Sequence, residues 1–362
     1  MSRDDLTAHL ASHRAMSVAD YMAWCLTARD DAYYRVAEPI GRTGDFITAP
    51  EVSQIFGELV GLWMGAVWLS MGQPAPFVVV ELGPGRGTLV SDAMRALRVV
   101  PGFADAARLH LVERSGTLRQ AQAGALAAYA PVWHERLEDV PDGPLVLVAN
   151  EFFDALPVAQ FVHAEDGWHE RVVRMGADGC PVFASGASCQ PPEIATLLPD
   201  PEPGAILESR LASLPACQAL GERARMHPVA ALIIDYGYER DAYGDTLQAV
   251  RAHDYDDPLA HPGKADLSAH VNFAELARMA AASGLTPYGP LPQGELLLAL
   301  GLEARLHRLM SSARPEQQGA LLTGARRLTD PYQMGSLFKA MALTGPGLPV
   351  PPPFTRPPRR EQ

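Results

Sequence analysis

Three glycines at every second position, directly after a short apolar run, are the residues of this sequence that point most directly to chemistry. The run FVVVEL at 77–82 leads into Gly83, Gly85 and Gly87. A short valine-rich run is typical of a buried parallel strand, and glycine lets the backbone turn sharply and approach a ligand because it has no Cβ. Residues 88–97 have helical spacing, so the pattern predicts the first strand, turn and helix of a nucleotide-type cofactor site. A turn that only packs a helix on a strand is the alternative.

The spacing of this turn differs from that of a dinucleotide site. A pyrophosphate loop reads G-x-G-x-x-G, whereas this turn reads G-x-G-x-G with Pro84 inside it and Glu81 before it. A carboxylate there repels a diphosphate and suits a cationic ligand such as S-adenosyl-L-methionine. Glu113 ends the next predicted strand, where an acidic side chain accepts hydrogen bonds from two ribose hydroxyls. Glu81, Gly83, Gly85 and Glu113 are therefore predicted to bind S-adenosyl-L-methionine; for Glu113, a solvated acid at a strand end is the alternative.

Two further segments are candidates for cofactor contacts. Leu137 and Glu138 follow a third predicted strand and could flank an adenine, one against the ring and one accepting from the amine. Gly44, Asp45 and Phe46 lie in a glycine-rich loop before the cofactor strand. We predict that this loop folds over the pocket as a lid, with Asp45 on the ammonium of the ligand. A plain surface loop is the alternative.

Polar residues also follow the predicted strand at 145–149. Because parallel strands deliver their carboxyl ends to the ligand crevice, Asn150, Glu151 and Asp154 are predicted at the rim of the cofactor pocket, Asn150 as a cofactor contact as well. Methyl transfer from a sulfonium requires chiefly that the acceptor is positioned and desolvated. Carboxylates can clamp a guanidinium bidentately and direct one nitrogen at the methyl group, so Asn150, Glu151 and Asp154 are the predicted catalytic residues. An N-cap on a following helix is the alternative role for Asp154.

The elements that must position these residues alternate along the chain. Short, mainly apolar runs at 77–80, 109–113, 145–151 and 231–237 are separated by helical stretches. This pattern predicts an α/β fold with a parallel sheet wrapped by helices. Residues 1–30 also look helical, with Ser17 as an N-cap.

The predicted domain organisation has three parts. Residues 1–70 form an N-terminal helical segment with the cofactor lid, and residues 71–345 form the main domain. An insertion at about 158–228 interrupts this domain and begins with a β-hairpin at 158–174 that turns at Asp166-Gly167. The rest of the insertion, 176–228, is rich in proline and glycine and poorly periodic, and a helical region is predicted in it. The proline-rich tail, 346–362, is predicted to be extended and mobile.

Composition excludes several classes. The chain has 362 residues, 48% of them hydrophobic, and a formal net charge of −12, which argues against a nucleic-acid surface. No apolar stretch is long enough to span a bilayer. The four cysteines lack C-x-x-C spacing, so neither a metal site nor a disulfide framework is indicated. The acidic N-terminus shows no signal or transit pattern, and a cytoplasmic, bacterial location is expected.

Several motifs together resemble the MidA-like methyltransferases, which in eukaryotes form the mitochondrial complex I assembly factor 7 family. The motifs lie at 44–51, 81–89, 150–157, 234–237, 245–251, 265–271 and 334–339. The resemblance runs from about residue 15 to 345. It implies a seven-stranded class I methyltransferase fold of Rossmann-like type, S-adenosyl-L-methionine as cofactor and a protein substrate. The mitochondrial members methylate an arginine of a complex I subunit symmetrically, so a respiratory-chain subunit is one candidate partner.

Position by position, Gly83, Gly85 and Glu113 match the cofactor residues of the family, and Asn150 and Glu151 match its acceptor motif. General arginine methyltransferases place two glutamates after this strand, whereas here Gln160 stands where the second is expected, and Asp154 could substitute for it. The leading hypothesis is methyl transfer to a protein arginine. A cofactor-binding assembly chaperone without turnover and a small-molecule methyltransferase are alternatives, a nicotinamide dehydrogenase is a remote one, and the oligomeric state, a dimer included, is open.

Overall fold

The computed structural model describes residues 3–29, 31–36 and 48–355. Its strands are β1 (Ala15–Ser17), β2 (Phe77–Leu82), β3 (Ala107–Val112), β4 (Val132–His134), β5 (Leu145–Asn150), β6 (Ala159–Ala164), β7 (Gly167–Met175), β8 (Pro181–Ser188), β9 (Ile206–Ser209), β10 (Val229–Tyr238), β11 (Gln248–Arg251), β12 (Asp254–Asp256), β13 (Asp266–Ser268), β14 (Val271–Asn272), β15 (Thr286–Pro292) and β16 (Phe338–Thr344).

The helices follow the same chain order. The α-helices are α1 (Arg3–His13), α2 (Val18–Leu26), α3 (Tyr33–Val36), α4 (Ala49–Val52), α5 (Gln54–Ser70), α6 (Thr88–Ala96), α7 (Phe103–Ala106), α8 (Gly116–Ala125), α9 (Leu214–Ala224), α10 (Phe273–Ala282), α11 (Gln293–Ala299), α12 (Leu302–Ser312), α13 (Pro315–Thr329) and α14 (Met334–Leu337). Short 3-10 helices lie at Leu97–Val99, Ala127–Tyr129, Leu137–Asp139, Glu193–Leu197 and Leu211–Ser213. Among these described helices, none combines the length and the apolar composition that crossing a membrane requires.

The described residues divide into two compact units. The larger unit comprises residues 48–152, 215–237 and 277–355, and the smaller unit comprises the described residues before 37 together with 153–214 and 238–276. The domain limits predicted at residues 70 and 345 do not fall at the limits of these units, and they stay a prediction.

Seven strands of the larger unit form one sheet in the order β15-β16-β10-β5-β2-β3-β4. The strands from β10 to β4 in this order run parallel, and β16 lies antiparallel to β10 and β15. β2 and β5 are buried over their whole length, as expected for strands that helices cover on both faces. The predicted α/β fold, a seven-stranded Rossmann-like sheet flanked by helices, is confirmed.

The register of this sheet aligns the ends of β2, β3 and β5, and β10 continues beyond them to Tyr238. Leu82 of β2 pairs with Val112 of β3 and with Ala149 of β5, and Asn150 of β5 pairs with Ile234 of β10. The carboxyl ends of four neighbouring strands therefore lie at the same edge, which is where open α/β sheets bind their ligands.

Glycines bring helix α5 into backbone contact with helix α6. A Cβ on Gly57 would lie 2.8 Å from the carbonyl oxygen of Leu89, and a Cβ on Gly61 would lie 2.8 Å from Cα of Ala93. Both distances are too short for a real side chain, so only glycine permits this approach. The contact fixes the position of α6, the helix that begins directly after the glycine turn.

The smaller unit contains antiparallel sheets. In one of them β7 pairs with β1, β6 and β8, and β6 also pairs with β9; in another, β11 lies between β12 and β13. The hairpin predicted at 158–174 is confirmed as β6 and β7, but its turn is shifted. Ala164 pairs with Gly167, so Glu165 and Asp166 form the loop rather than Asp166 and Gly167.

The N-terminal segment, predicted to be helical with an N-cap at Ser17, contains two helices and a short strand that was not predicted. β1 separates α1 from α2 because Ala15, Met16 and Ser17 pair with β7. That partner lies far along the chain, so the local pattern could not reveal it. The predicted N-cap is confirmed, since the side chain of Ser17 accepts a hydrogen bond from the backbone N–H of Asp20.

Two other regions are more regular than predicted. Residues 176–228, expected to be poorly periodic with a helical region, contain the helix α9 and also the strands β8 and β9, which were not predicted. Within the predicted mobile tail, the described residues 346–355 pack on the larger unit. Phe354 is buried, and a Cβ on Gly289 would lie 3.1 Å from its ring. An aromatic side chain therefore anchors this part of the chain in the core, and the mobility of the tail stays a prediction.

Candidate active site

The glycine turn follows β2 and has left-handed backbone geometry at each of its three glycines. Gly83, Gly85 and Gly87 have φ angles of 59°, 54° and 81°, a region that side chains with a Cβ rarely adopt. The N–H of Gly83 donates to the carbonyl of Val112 at 3.0 Å, which ties the turn to the end of β3. A Cβ on Gly83 would lie 2.9 Å from the ring of Phe152. The turn therefore requires glycine both for its backbone angles and for its close neighbours.

Glu81 lies beneath this turn with an unsatisfied oxygen. Its side chain is 3% exposed, and its Oε2 has no hydrogen-bond partner among the described residues. Burial raises the pKa of Glu81 to about 8; the N–H of Val90 in the first turn of α6 lowers it, and the Glu113 carboxylate raises it further. A buried acid with an open acceptor is expensive to maintain. The geometry suits a ligand that brings positive charge or a donor to this oxygen.

Replacing Glu81 by Gln is expected to stabilise the protein at alkaline pH and to weaken binding of a cationic ligand. The pKa of Glu81 in the folded state, about 8, lies above its ordinary value, so between these values the native state holds more protons than the unfolded state. The stability of the native chain therefore falls as the pH rises through this window, whereas the glutamine cannot ionise. The measurement is the melting temperature of both proteins from pH 6 to 9, where the advantage of Glu81→Gln should grow up to a pH of about 8 and then level off. Glu135→Gln, which changes an exposed acid outside the proposed site, is the control. Parallel curves for Glu81→Gln and native protein would contradict the assignment.

Glu113 stands at the end of β3 with both carboxylate oxygens oriented by donors. Oε1 accepts from the backbone N–H of Ser115 at 2.8 Å, and Oε2 accepts from the side-chain amide of Gln122 at 3.2 Å. Burial raises the pKa of Glu113, while these two hydrogen bonds lower it. Each oxygen keeps a lone pair for a further donor, which suits the diol that was predicted.

Gln122 is a residue of this site that the sequence reasoning missed. It is fully buried in α8, and its amide also donates to the carbonyl oxygen of Gly85 at 2.7 Å. The signal that could have found it is its position in the apolar stripe of the helix. Leu118 and Leu126, four residues to either side, are both buried, so the spacing puts a polar amide on the face that packs inward.

Asn150 and Glu151 are brought together after β5. Nδ2 of Asn150 donates to Oε1 of Glu151 at 3.0 Å, and the same oxygen accepts from the backbone N–H of Ala49 at 3.1 Å. Glu151 has a φ of 51°, an uncommon conformation for a residue with a side chain and one that clusters at functional sites. Oδ1 of Asn150 is buried without a hydrogen-bond partner in the described part of the chain. The pair thus combines an oriented carboxylate with an open amide acceptor.

Asp235 braces the loop that follows Asn150 and Glu151. Its fully buried carboxylate accepts from the backbone N–H of Phe152 at 3.2 Å and from that of Tyr236 at 3.0 Å. The N–H of Glu151 itself donates to the carbonyl of Ile234 at 2.9 Å. Asp235 therefore holds the backbone that presents Glu151.

The remaining predicted residues fall in three places. Leu137 is buried and Glu138 is exposed in the 3-10 helix after β4. Asp154 belongs to the smaller unit, where its carbonyl accepts from Nη1 of Arg210 at 2.9 Å. A turn and then β6 follow Asp154, so the alternative of an N-cap is wrong.

The lid residues are the last group of predicted contacts. Gly44, Asp45 and Phe46 lie outside the described residues, so their role stays a prediction.

The comparisons with known proteins agree with this geometry. Residues 59–291 match the model of a family described as S-adenosyl-L-methionine-dependent methyltransferases. The chain belongs to this family. Its cofactor is S-adenosyl-L-methionine, and the predicted resemblance to the complex I assembly factor 7 family is confirmed. Three features of the site fit this cofactor. The buried carboxyl group of Glu81, with its open oxygen, fits the positive charge of the sulfonium, and the oriented carboxylate of Glu113 fits the ribose diol. The glycine turn fits the close approach of the ligand to the backbone.

Relatives and one solved structure cover most of the methyltransferase chain. The protein arginine methyltransferase NDUFAF7 homolog of Drosophila melanogaster is 38% identical over 93% of this chain and 83% of its own. The protein arginine methyltransferase NDUFAF7 of Homo sapiens is 35% identical over 91% and 80%. A crystal structure from Burkholderia thailandensis, bound to S-adenosyl-homocysteine, is 27% identical with a TM-score of 0.81, covering 94% of this chain and 91% of that one.

Proposed function

We propose that this methyltransferase transfers the methyl group of S-adenosyl-L-methionine to an arginine side chain of a protein. The observation that carries the proposal is the likeness to relatives named protein arginine methyltransferases, which extends over 93% of the chain for the Drosophila protein. A local geometry supports it, because an oriented carboxylate stands beside an open amide acceptor at the carboxyl edge of the sheet.

The cofactor residues of the proposal are those around the glycine turn. Gly83 and Gly85 allow the backbone to approach the cofactor, Glu81 neutralises its positive charge, and Glu113 accepts from the ribose hydroxyls. Leu137 and Glu138 stay assigned to the adenine, and Gly44, Asp45 and Phe46 to the lid. When bound, the cofactor supplies an electrophilic methyl group on a sulfonium. The residues of the chain bind and orient it and keep water from the reacting atoms.

The residues proposed to hold the methyl acceptor are Asn150 and Glu151, with Asp154 as a second carboxylate. Hydrogen bonds from Asn150 and from the N–H of Ala49 fix Oε1 of Glu151, so its carboxylate can hold a guanidinium without first losing much conformational entropy. A carboxylate that binds one guanidinium edge localises the positive charge there. The other nitrogen is then better able to attack the methyl group.

The alternatives from the sequence predict different products. A small-molecule methyltransferase would label a compound rather than a protein, and an assembly chaperone would bind S-adenosyl-homocysteine without transferring any label. A respiratory-chain subunit as the substrate, a cytoplasmic location and the oligomeric state stay predictions.

The test incubates the purified protein with radioactive S-adenosyl-L-methionine and a lysate of cells that lack this gene. We expect one or a few labelled proteins, and acid hydrolysis of each should release methylated arginine. Label only in the low-molecular-weight fraction would support a small-molecule acceptor. Binding of S-adenosyl-homocysteine by calorimetry with no labelled product would support the chaperone. Labelled protein that yields another methylated amino acid would overturn the arginine assignment alone.

A further inference from the structure

Gln122 connects the two halves of the proposed cofactor site through one amide. Its Nε2 donates to the carbonyl oxygen of Gly85 at 2.7 Å and to Oε2 of Glu113 at 3.2 Å. Its aliphatic part also lies beneath the turn, since a Cβ on Gly87 would lie 3.6 Å from Cγ of Gln122. The side chain is 0% exposed, so water does not compete for these hydrogen bonds.

The orientation of this amide is determined by a third residue. Nε1 of Trp133 lies 2.8 Å from Oε1 of Gln122, and an indole nitrogen can only donate. The oxygen of the amide must therefore face Trp133, and the NH₂ group must face Gly85 and Glu113. Both hydrogens of the amide are used, one for the turn and one for the carboxylate.

The hydrogen bond to Glu113 has two effects on that carboxylate. It fixes the rotation of the carboxylate together with the N–H of Ser115, which binds the other oxygen. It also lowers the pKa of Glu113, which burial raises, and so it favours the ionised form. An ionised carboxylate with both oxygens oriented accepts from two hydroxyl groups at once.

We infer that Gln122 is a positioning residue that gives the cofactor site its preference for a ribose with both hydroxyl groups. The inference rests on the proposed binding of the ribose by Glu113. Without the amide donor, the carboxylate loses its fixed rotation and the carbonyl oxygen of Gly85 loses its partner. The diol should then be recognised less well than the rest of the cofactor.

The experiment compares three ligands on two variants of α8. S-adenosyl-homocysteine and its 2′-deoxy and 3′-deoxy analogues are titrated by calorimetry into native protein, Gln122→Met and Gln120→Met, the last an exposed position on the same helix. We expect Gln122→Met to bind S-adenosyl-homocysteine roughly 10-fold or more weakly than native protein does. The affinity for the deoxy analogues should fall by a much smaller factor, so the preference for the diol should decrease. Gln120→Met should match native protein. The affinity of Gln122→Met for S-adenosyl-homocysteine should also rise more steeply with pH. Without the hydrogen bond from Gln122, the pKa of Glu113 is higher, so this carboxyl group ionises at a higher pH.

Two results would overturn the inference. One is an unchanged preference in a folded Gln122→Met protein, and the other is an equal loss of all three ligands, which indicates a purely structural role. If Gln122→Met does not fold, Trp133→Phe serves in its place, since it removes the anchor of the amide and should reduce the preference by a smaller factor. Glu113→Gln separates the two levels: an unchanged preference there refutes the proposed role of Glu113. If Glu113→Gln loses the preference for the diol and Gln122→Met keeps it, only the inference about Gln122 is refuted.

Discussion

Glu151→Gln is expected to slow methyl transfer roughly 10²–10³-fold, the loss typical of removing one preorganised group that stabilises charge in a transition state. Gln has nearly the shape of Glu, and its side-chain oxygen can still accept from Asn150 and from the N–H of Ala49. The left-handed φ of 51° at this position is equally strained for both residues. Only the negative charge that is proposed to hold and polarise a guanidinium is removed.

The measurement is the initial rate of protein labelling, together with the affinity for S-adenosyl-homocysteine. We expect the rate to fall and the affinity to change less than about threefold, because the cofactor groups are untouched. Glu135→Gln, an exposed position with the same change in net charge, is the matched control and should label at the native rate. Labelling by Glu151→Gln within about tenfold of native would contradict a catalytic role for Glu151.

Gly83→Ala should abolish useful cofactor binding, with a loss of affinity of roughly 100-fold or more, about 2.7 kcal/mol. Alanine at a φ of 59° costs about 1–2 kcal/mol in backbone strain, and its Cβ would meet the ring of Phe152 at 2.9 Å. Either the turn or Phe152 must then move. Both border the edge of the sheet where the cofactor is proposed to bind.

A second glycine separates strain from the loss of the site. Gly72 has a φ of 83°, and a Cβ there would meet nothing within 4 Å. Gly72→Ala should therefore show the strain alone, about 1–2 kcal/mol of stability, with unchanged affinity for S-adenosyl-homocysteine by calorimetry. If Gly83→Ala binds that ligand as Gly72→Ala does, the turn does not form the cofactor site.

Local patterns were sufficient to predict the central fold and much of the site. Valine-rich runs such as 77–82 are buried on both faces, and nothing else in the sequence competes with that signal. The glycine spacing and Glu113 followed from the same unit. What the sequence could not show depends on partners far along the chain: β1 forms because β7 pairs with it, and Phe354 is held by the core.

The same limit applies to the site residues. Gln122 acts through Gly85, Glu113 and Trp133, and its meaning is visible only when these side chains meet. Glu151 was predicted as a residue that holds the methyl acceptor because it follows β5. The hydrogen bond that it accepts from the N–H of Ala49 was not predicted. A one-dimensional pattern identifies which residues reach a strand end, whereas the contacts that orient them come from other elements.

The backbone contact between α5 and α6 has a consequence for mutational scanning of this protein. Positions 57 and 61 lie on a helix that precedes the cofactor strand, yet a side chain at either would push against Leu89 or Ala93 and displace α6 from the turn. A saturation library selected for activity should therefore lose variants at 57 and 61 as completely as at 83. Intolerance to substitution would by itself suggest that these two positions belong to the active site. Ligand titration of individual purified variants is needed to distinguish residues that position α6 from residues that contact the cofactor.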